Sequence, residues 1–80
     1  MAASSFTVYS TPWCGYCHRL KSQLHRAGLE FDEVDITEEP TAAAIVERVN
    51  GGNQTVPTVV FAHGSALTNP SLAQVQSHLG

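Results

Sequence analysis

Two cysteines three positions apart carry the most specific chemical signal in this 80-residue sequence. Cys14 and Cys17 are its only cysteines, and they stand between a β-prone run at residues 6–9 and a helical pattern at residues 18–27. A Cys-x-x-Cys pair where a strand turns into a helix is typical of redox chemistry. Positions i and i+3 share one face of a helix, so the two sulfurs can meet. The spacing therefore predicts a redox-active pair.

The two cysteines are expected to have different environments. Cys14 would lie at the helix N-terminus, where unpaired N–H groups and the positive end of the helix dipole favour an anion. Such a position lowers the pKa of a thiol and makes much of it thiolate at neutral pH. Cys17 heads an apolar stripe that continues through Leu20, Leu24 and Ala27. Cys17 is therefore predicted to face the core, and Cys14 to be the exposed nucleophile.

A proline is predicted to complete the site. Thr55, Val56 and Pro57 come just before an apolar run at residues 58–62, and proline cannot donate to a sheet ladder, so a central strand should begin only after it. We predict a cis Val56–Pro57 bond, which would turn the unpaired N–H and C=O of Val56 toward the sulfur of Cys14. An extended thiol compound could then dock there by main-chain hydrogen bonds, as an added strand does. The alternative is an ordinary turn proline.

Hydrophobic periodicity and turn residues predict seven elements in the order β-α-β-α-β-β-α. The predicted strands are residues 6–9, 31–36, 58–62 and 65–68. The first predicted helix covers residues 18–27 and is preceded by the cysteine turn, and the second opens at 37–40 and ends at 50–53. The third covers residues 70–79 and is capped by Asn69 and Pro70. One right-handed βαβ crossover and one hairpin give a four-stranded mixed sheet flanked by helices. We therefore predict an α/β protein of thioredoxin-like fold, forming a single domain over residues 1–80.

Composition argues against several classes of partner. Four Lys and Arg residues against seven Asp and Glu give a net charge of −3, without the basic runs that bind phosphate backbones, so nucleic acid is not expected. No apolar run approaches the ~18 residues of a membrane span, so no membrane is expected either. Residues 1–5 have neither the basic region nor the apolar stretch of an export signal, which predicts a cytoplasmic location. Nothing in the sequence requires more than a monomer.

Two metal-dependent interpretations are weaker than the redox one. Cys14, Cys17 and His18 also spell Cys-x-x-Cys-His, the attachment signature of c-type haem. Haem attachment would require export and usually a second axial ligand such as methionine, and Met1 is the only methionine. A structural zinc site would need four ligands, whereas the four histidines are scattered without a second pair. We expect no bound metal.

At this point the sequence resembles the glutaredoxin family and, within it, the mycoredoxins of actinobacteria. The resemblance spans roughly residues 6–79, and the matching motifs lie at residues 13–17, 49–53, 55–59, 61–62 and 67–71. The motifs at 13–17 and 55–59 are general among glutaredoxins, whereas Asn-Gly-Gly-Asn at 50–53 and Leu-Thr-Asn-Pro-Ser at 67–71 are narrower. The resemblance implies a thiol–disulfide oxidoreductase that reduces mixed disulfides between proteins and a low-molecular-weight thiol.

The resemblance also implies roles for individual residues. Cys14 would be the nucleophile of a monothiol route, and Cys17 would be dispensable for turnover or would resolve the adduct. The residues expected to bind the small thiol are Thr11, Trp13, Tyr16, Gln54, Thr55, Val56, Pro57, Thr68 and Asn69. Core packing is the alternative role for the two aromatic residues. No bound cofactor is implied: the thiol is a co-substrate, NADPH acts through a separate mycothiol disulfide reductase, and the partners are S-thiolated proteins such as peroxidases.

Departures from ordinary glutaredoxins favour mycothiol as the thiol. Glutathione carries two free carboxylates, and its usual site supplies a lysine before the first cysteine and a Gly-Gly-x-Ser-Asp-like segment after the last strand. This sequence has Thr11 in place of the lysine, neutral residues at 68–71 in place of the second segment, and a neutral Gln54. A site with few cations but many hydroxyls and amides suits an uncharged, sugar-bearing thiol such as mycothiol, an acetylcysteinyl glucosamine-inositol.

Three alternatives keep the fold and change the chemistry. Gly15 is small, and some glutaredoxins with a small residue there bridge a [2Fe–2S] cluster between the first cysteines of two chains. A second alternative is a dithiol redoxin reduced by thioredoxin reductase, although such proteins share a Trp-Ser-Gly-Phe-Arg-Pro-like segment where this chain has Leu-Thr-Asn-Pro at residues 67–70. The third is an ordinary glutathione-dependent glutaredoxin.

Overall fold

The computed structural model describes residues 6–79, so the prediction made for residues 1–5 lies outside the described part. The elements are β1 (Phe6–Ser10), α1 (Gly15–Arg26), β2 (Asp32–Asp35), α2 (Pro40–Val49), β3 (Thr58–Phe61), β4 (Ala66–Thr68) and α3 (Leu72–Leu79). The sheet order is β2-β1-β3-β4, in which β1 is parallel to β2 and antiparallel to β3, and β3 is antiparallel to β4. The predicted element order and four-stranded mixed sheet are confirmed.

The central strands β1 and β3 separate two hydrophobic layers. Alternate residues of a strand face opposite sides of the sheet, so Val8 and Tyr9 belong to different layers. Val8 packs with Leu20 of α1 and Val75 of α3, whereas Tyr9 packs with residues of α2. Helices α1 and α3 therefore cover one face and α2 the other, and each fully buried aliphatic side chain stabilises the fold by about 1.5–3 kcal/mol.

The register between β1 and β3 positions the site. Tyr9, near the end of β1, lies opposite Thr58, the first residue of β3. Because the strands are antiparallel, the chain leaving β1 toward Cys14 and the chain entering β3 through Pro57 meet at the same end of the sheet. Two segments that are more than forty residues apart in sequence are thereby brought together.

Helix α1 has a distinct cap at each end. It begins at Gly15, three residues before the predicted helical run, and Cys14 is its N-cap. At the other end Gly28 has a φ of 74°, its N–H donates to the carbonyl of His25, and the N–H of Leu29 donates to the carbonyl of Leu24. This is the Schellman arrangement, in which glycine accommodates the left-handed conformation. The predicted stop at Gly28 is confirmed.

The predicted start of α3 is wrong by two residues. The helix begins at Leu72, because Ser71 rather than Asn69 supplies the cap. The Ser71 hydroxyl accepts the N–H of Gln74 at 3.2 Å, and the Gln74 side-chain oxygen accepts the N–H of Ser71 at 2.8 Å. This reciprocal pair is a capping box. Asn69 instead has a φ of 47° and donates its N–H to the carbonyl of Pro57 at 2.7 Å, so it belongs to a turn.

The remaining boundaries differ from the predictions by one residue or two. Strand β2 is shorter than residues 31–36 at both ends, β3 ends one residue before position 62, and β4 begins one residue after position 65. Helix α2 has Pro40 in its first turn and ends before Asn50, as the sequence predicts. Within residues 6–79, none of the three helices has the length and apolar character needed to cross a bilayer.

Candidate functional site

The N-terminus of α1 is organised around the sulfur of Cys14. The N–H of Cys14 donates to the carbonyl of Thr11 at 3.3 Å, which closes the turn after β1. The backbone of Cys14 is extended, and its sulfur accepts the N–H of Cys17 at 3.1 Å. An N-cap is usually an oxygen from Ser, Thr, Asp or Asn, whereas here a sulfur takes that place.

Cys14 and Cys17 form a disulfide, with their Cα atoms 5.2 Å apart. Cys17 is 0% exposed, and Cys14 is half-buried at the surface. The predicted pairing and the predicted orientation of the two sulfurs are both confirmed. A solvent-borne thiol or disulfide can therefore approach the sulfur of Cys14 but not that of Cys17.

The local electrostatics favour a negative charge on Cys14 once the disulfide is reduced. The thiolate would accept the same Cys17 N–H and would lie at the positive end of the twelve-residue helix α1. The first turn of α1 contains no acidic residue that would oppose this charge. A thiolate stabilised in this way is the reactive species in thiol–disulfide exchange.

The loop before β3 supplies the other wall of the site. The Val56–Pro57 peptide bond is cis, as predicted, and the carbonyl oxygen of Val56 lies 3.8 Å from the sulfur of Cys14. Within residues 6–79 the N–H of Val56 has no hydrogen-bond acceptor. The main-chain groups expected to bind an extended ligand therefore lie beside the reactive sulfur.

Asn50, at the C-terminus of α2, fixes this loop and was missed as a site residue by the sequence analysis. Its side-chain nitrogen donates to the carbonyl of Val46 at 2.9 Å and to the hydroxyl of Thr58 at 3.0 Å, and its oxygen accepts the hydroxyl of Thr68. The Thr58 hydroxyl in turn donates to the carbonyl of Thr55 at 2.7 Å. One amide thus links α2, β4 and the residues on both sides of the proline. The available signal was an asparagine that ends a helix shortly before Thr-Val-Pro.

Both predicted aromatic residues are at the surface beside the cysteines. Trp13 is 75% exposed and Tyr16 is 67% exposed, so the alternative in which they pack in the core is wrong. Trp13 directly precedes Cys14 in sequence, and Tyr16 follows it by two residues. They are therefore available to contact a ligand or a protein docked at Cys14.

Thr11 does not offer its hydroxyl to a ligand, contrary to the sequence-based prediction. The residue is 7% exposed, and its Oγ1 is enclosed without a hydrogen-bond partner among the described residues. The reason is its place at the end of a buried strand, where the side chain points into the protein. The neutral residue still leaves the site without a cation at this position.

Three further predicted residues have side chains already bonded to neighbours. Gln54 donates to the carboxylate of Glu47 at 2.5 Å, and Thr55 donates to the side-chain oxygen of Asn53 at 2.5 Å. The third is Thr68, which donates to the Asn50 amide. These side chains shape the loop around Val56, and a ligand would have to replace their present partners to bond them directly. Among the described residues no group of three or more His, Cys, Asp and Glu residues could hold a metal ion.

Comparison with known proteins gives consistent matches. A family model described as glutaredoxin matches residues 6–65. A protein of Mycobacterium tuberculosis H37Rv, named as a glutaredoxin, is 53% identical over 79 residues, covering 99% of this chain and 94% of that protein. Mycoredoxin 1 of Corynebacterium glutamicum is 42% identical over 72 residues, covering 90% and 89%. The crystal structure of the glutaredoxin from Methanosarcina mazei superimposes with a TM-score of 0.82 at 24% identity, covering 96% of this chain and 79% of that one, and supports the thioredoxin-like fold.

Proposed function

This chain belongs to the glutaredoxin family of thiol–disulfide oxidoreductases, and we propose that it reduces mixed disulfides between proteins and mycothiol by a monothiol mechanism. Cys14 is the nucleophile in this proposal. Mycothiol is a co-substrate, and its oxidised form is recycled by a separate NADPH-dependent mycothiol disulfide reductase. The S-thiolated protein substrates are placed in the cytoplasm together with this protein.

The proposed reaction has two exchange steps. The Cys14 thiolate attacks the mycothiol sulfur of the mixed disulfide, forms a new S–S bond with it and releases the target protein as a thiolate, which takes a proton from water. A second mycothiol, as its thiolate, then attacks the mycothiol sulfur of this adduct. That step releases the Cys14 thiolate and forms mycothiol disulfide. One free mycothiol is therefore consumed per target: its sulfur is oxidised from thiol to disulfide while the target sulfur is reduced from disulfide to thiol.

The observation that carries the proposal is the different exposure of the two sulfurs. Cys14 is accessible, caps α1 with its sulfur and lies 3.8 Å from the carbonyl of Val56. Cys17 is completely buried, so an external mixed disulfide meets Cys14 first. The N–H of Val56, which has no acceptor within residues 6–79, and its C=O beside the sulfur can align the cysteinyl backbone of the small thiol for that attack.

The charges around the loop support mycothiol over glutathione. Glu47 places a carboxylate against Gln54, Thr11 contributes no cation, and residues 68–71 are neutral. A ligand with two carboxylates would meet the Glu47 carboxylate beside this loop, where neither Thr11 nor residues 68–71 supply a cation. Arg19 on α1 is a cation that lines the surface next to residues 69–71. The similarity to a protein named mycoredoxin 1 favours the same thiol.

A dithiol redoxin is the second candidate, because Cys14 and Cys17 form a disulfide in the structure. In that route Cys17 attacks Cys14 in the adduct, releases the small thiol and leaves this disulfide to be reduced by another electron donor. The two routes differ in whether they require Cys17.

The test is turnover by the Cys17→Ser variant. NADPH oxidation would be followed with a mixed-disulfide substrate, using mycothiol with mycothiol disulfide reductase in one series and glutathione with glutathione reductase in another. We expect the variant to turn over with mycothiol, and the matched Cys14→Ser variant to be inactive with both thiols. Turnover with glutathione alone would overturn the thiol assignment. Loss of activity in Cys17→Ser, with wild-type protein accepting electrons from thioredoxin reductase, would establish the dithiol route instead.

A further inference from the structure

A concave surface opens between α1 and α3, and its lining includes Tyr16, two residues after Cys14. This groove encloses about 280 Å³ and is lined by Tyr16, Arg19, Leu20 and Gln23 from α1 and by residues 69–71 and Gln74 from the start of α3. Its volume is near the lower limit of the ~300–1,000 Å³ of small-molecule sites. The groove therefore suits one part of a ligand rather than a whole cofactor.

Both walls of the groove include a residue linked closely to the reactive site. On one wall Tyr16 is two residues from Cys14 and lines the groove directly. On the other wall Asn69 lines the groove and donates its N–H to the carbonyl of Pro57, the residue that follows Val56. The groove therefore begins close enough to Cys14 for a ligand bonded to that sulfur to reach it.

The walls present hydrogen-bonding groups that have no partner among the described residues. Gln23 is half-buried, and neither its amide nor the guanidinium of Arg19 is bonded within residues 6–79. Gln74 uses its oxygen to cap Ser71, which leaves its NH₂ group free to donate. The ring of Tyr16 forms an exposed apolar platform at the entrance. Side-chain amides together with an aromatic platform suit a ring that carries several hydroxyl groups, because each hydroxyl both donates and accepts.

The distance along α1 from Cys14 to Gln23, in the groove lining, matches the length of a thiol that carries sugar rings. Tyr16, Arg19 and Gln23 are spaced by three and four residues and so share one face of α1. With a rise of ~1.5 Å per residue, Gln23 lies about 13 Å along the helix from Cys14. A cysteinyl group bonded to two consecutive rings spans about the same distance, since the extended chain advances ~3.5 Å per residue and each ring is somewhat longer.

We propose that the groove between α1 and α3 binds the sugar portion of the small thiol, with Gln23 and Gln74 as residues that determine specificity. The inference rests on the proposed function, since it requires a sugar-bearing thiol at Cys14. Tyr16 packs against the first ring, and the amides of Gln23 and Gln74 bond hydroxyls of the second. Arg19 donates to hydroxyls in this arrangement and is not paired with a carboxylate.

The test compares a complete thiol with a truncated one on the reduced Cys17→Ser protein. Mixed disulfides of 5-thio-2-nitrobenzoate with mycothiol, with N-acetylcysteine and with glutathione would each be mixed with the protein. Attack by Cys14 on the aliphatic sulfur transfers that thiol to the enzyme and releases coloured thionitrobenzoate. N-acetylcysteine has the same reacting group as mycothiol but lacks both rings, so it reports on Cys14 chemistry alone.

We expect Gln23→Ala and Gln74→Ala each to lower the second-order rate constant for the mycothiol compound about 5- to 10-fold, the loss of one neutral hydrogen bond or slightly more. The rate with the N-acetylcysteine compound should stay within twofold. Gln76→Ala, an exposed residue of α3 outside the groove, is the matched control and should change neither rate. Damage to the fold or to the Ser71 cap would slow both compounds together, and thermal unfolding would reveal it.

The outcomes separate the groove from the function. Equal rates of the glutamine variants and their parent with the mycothiol compound would overturn the groove while leaving the proposed function intact. A parent protein that prefers the glutathione compound would overturn the proposed thiol and the groove assignment with it. A loss of more than tenfold in Arg19→Gln confined to the glutathione compound would identify the groove as a carboxylate site instead. A second measurement needs no variant: thiol-free glucosaminyl-inositol is titrated into the reduced wild-type protein. The NMR amide signals of Gln23 and Gln74 should shift. Shifts confined to other regions would overturn the proposal.

Discussion

Replacing Asn50 by alanine should destabilise the protein far more than an ordinary loop substitution. The change removes the hydrogen bonds that the amide donates to the Val46 carbonyl, to the Thr58 hydroxyl and, at 3.5 Å, to the exposed Thr55 carbonyl. It also removes the bond accepted from the Thr68 hydroxyl. The Val46 carbonyl keeps the backbone N–H of residue 50 as a donor, and Thr68 is exposed to water. Thr58, however, is 0% exposed, so its oxygen loses a donor that water cannot replace. Losing a hydrogen bond whose partner can bond water instead costs ~0.5–1.5 kcal/mol, and leaving a buried polar group unpaired costs ~1–3 kcal/mol. We therefore expect the free energy of unfolding to fall by about 2 kcal/mol.

Urea unfolding followed by far-ultraviolet circular dichroism would measure this loss. A small domain has a slope of roughly 1–3 kcal/mol per molar urea, so the midpoint should fall by about 0.7–2 M. Asn53→Ala is the matched control, since the Asn53 side chain also forms hydrogen bonds within the same loop but is exposed. A loss for Asn50→Ala that is within about 0.5 kcal/mol of the control would refute the argument from burial.

The same variant should weaken catalysis without altering the nucleophile. Asn50 holds the Thr58 hydroxyl, which donates to the carbonyl of Thr55 just before Val56. Loosening this link displaces the main-chain groups that align the thiol, so kcat/KM should fall. The pH dependence of Cys14 alkylation by iodoacetamide should not change, because the hydrogen bonds of Asn50 within residues 6–79 do not reach the N-terminus of α1. A parallel shift in the alkylation profile would mean that Asn50 acts on Cys14 rather than on the loop.

Two further substitutions test the cap of each helix beside the groove. A side chain fits at Gly15, because a Cβ there would meet no atom within 4 Å. Gly15→Asp places a carboxylate next to Cys14 and should raise the pKa of the reduced Cys14 thiol through like-charge repulsion. The alkylation rate at neutral pH should therefore fall severalfold, and the uncharged Gly15→Asn should not reproduce this. Ser71→Ala removes the hydroxyl that caps α3 and should lower the free energy of unfolding by ~1 kcal/mol in urea titrations. The exposed Ser77, within α3, provides the control, and an equal effect of Ser77→Ala would contradict the capping role.

The sequence was sufficient for features that depend on local chemistry. Cys14 and Cys17 are identifiable because a three-residue spacing at a strand-to-helix junction has few other uses. Gly28 marks the end of α1 because the left-handed conformation it adopts is strongly restricted for other residues. The alternation within residues 6–9 and the continuous apolar run at residues 58–62 mark the central strands because sheet burial has a period of two.

Features that depend on which neighbour forms a hydrogen bond with a polar group could not be predicted from the sequence. Asn69 and Ser71 are both good N-cap residues, and the choice of Ser71 follows from the hydrogen bond between the Asn69 N–H and the carbonyl of Pro57, twelve residues earlier in the chain. The enclosed hydroxyl of Thr11 is a similar case, because only the packed sheet end decides that the side chain points inward.

Asn50 shows why a motif can be recognised before its physical role is known. An Asn-Gly-Gly-Asn segment after a helix predicts a helix stop, since asparagine and glycine tolerate left-handed backbone. Its side chain nevertheless becomes the only amide within residues 6–79 that links α2 to both Thr58 and Thr68, because β3 and β4 pair as neighbours with Thr58 opposite Thr68. The loop that faces Cys14 is therefore positioned by strand register as well as by its own proline, and a substitution in β4 can alter reactivity at a cysteine that it does not contact.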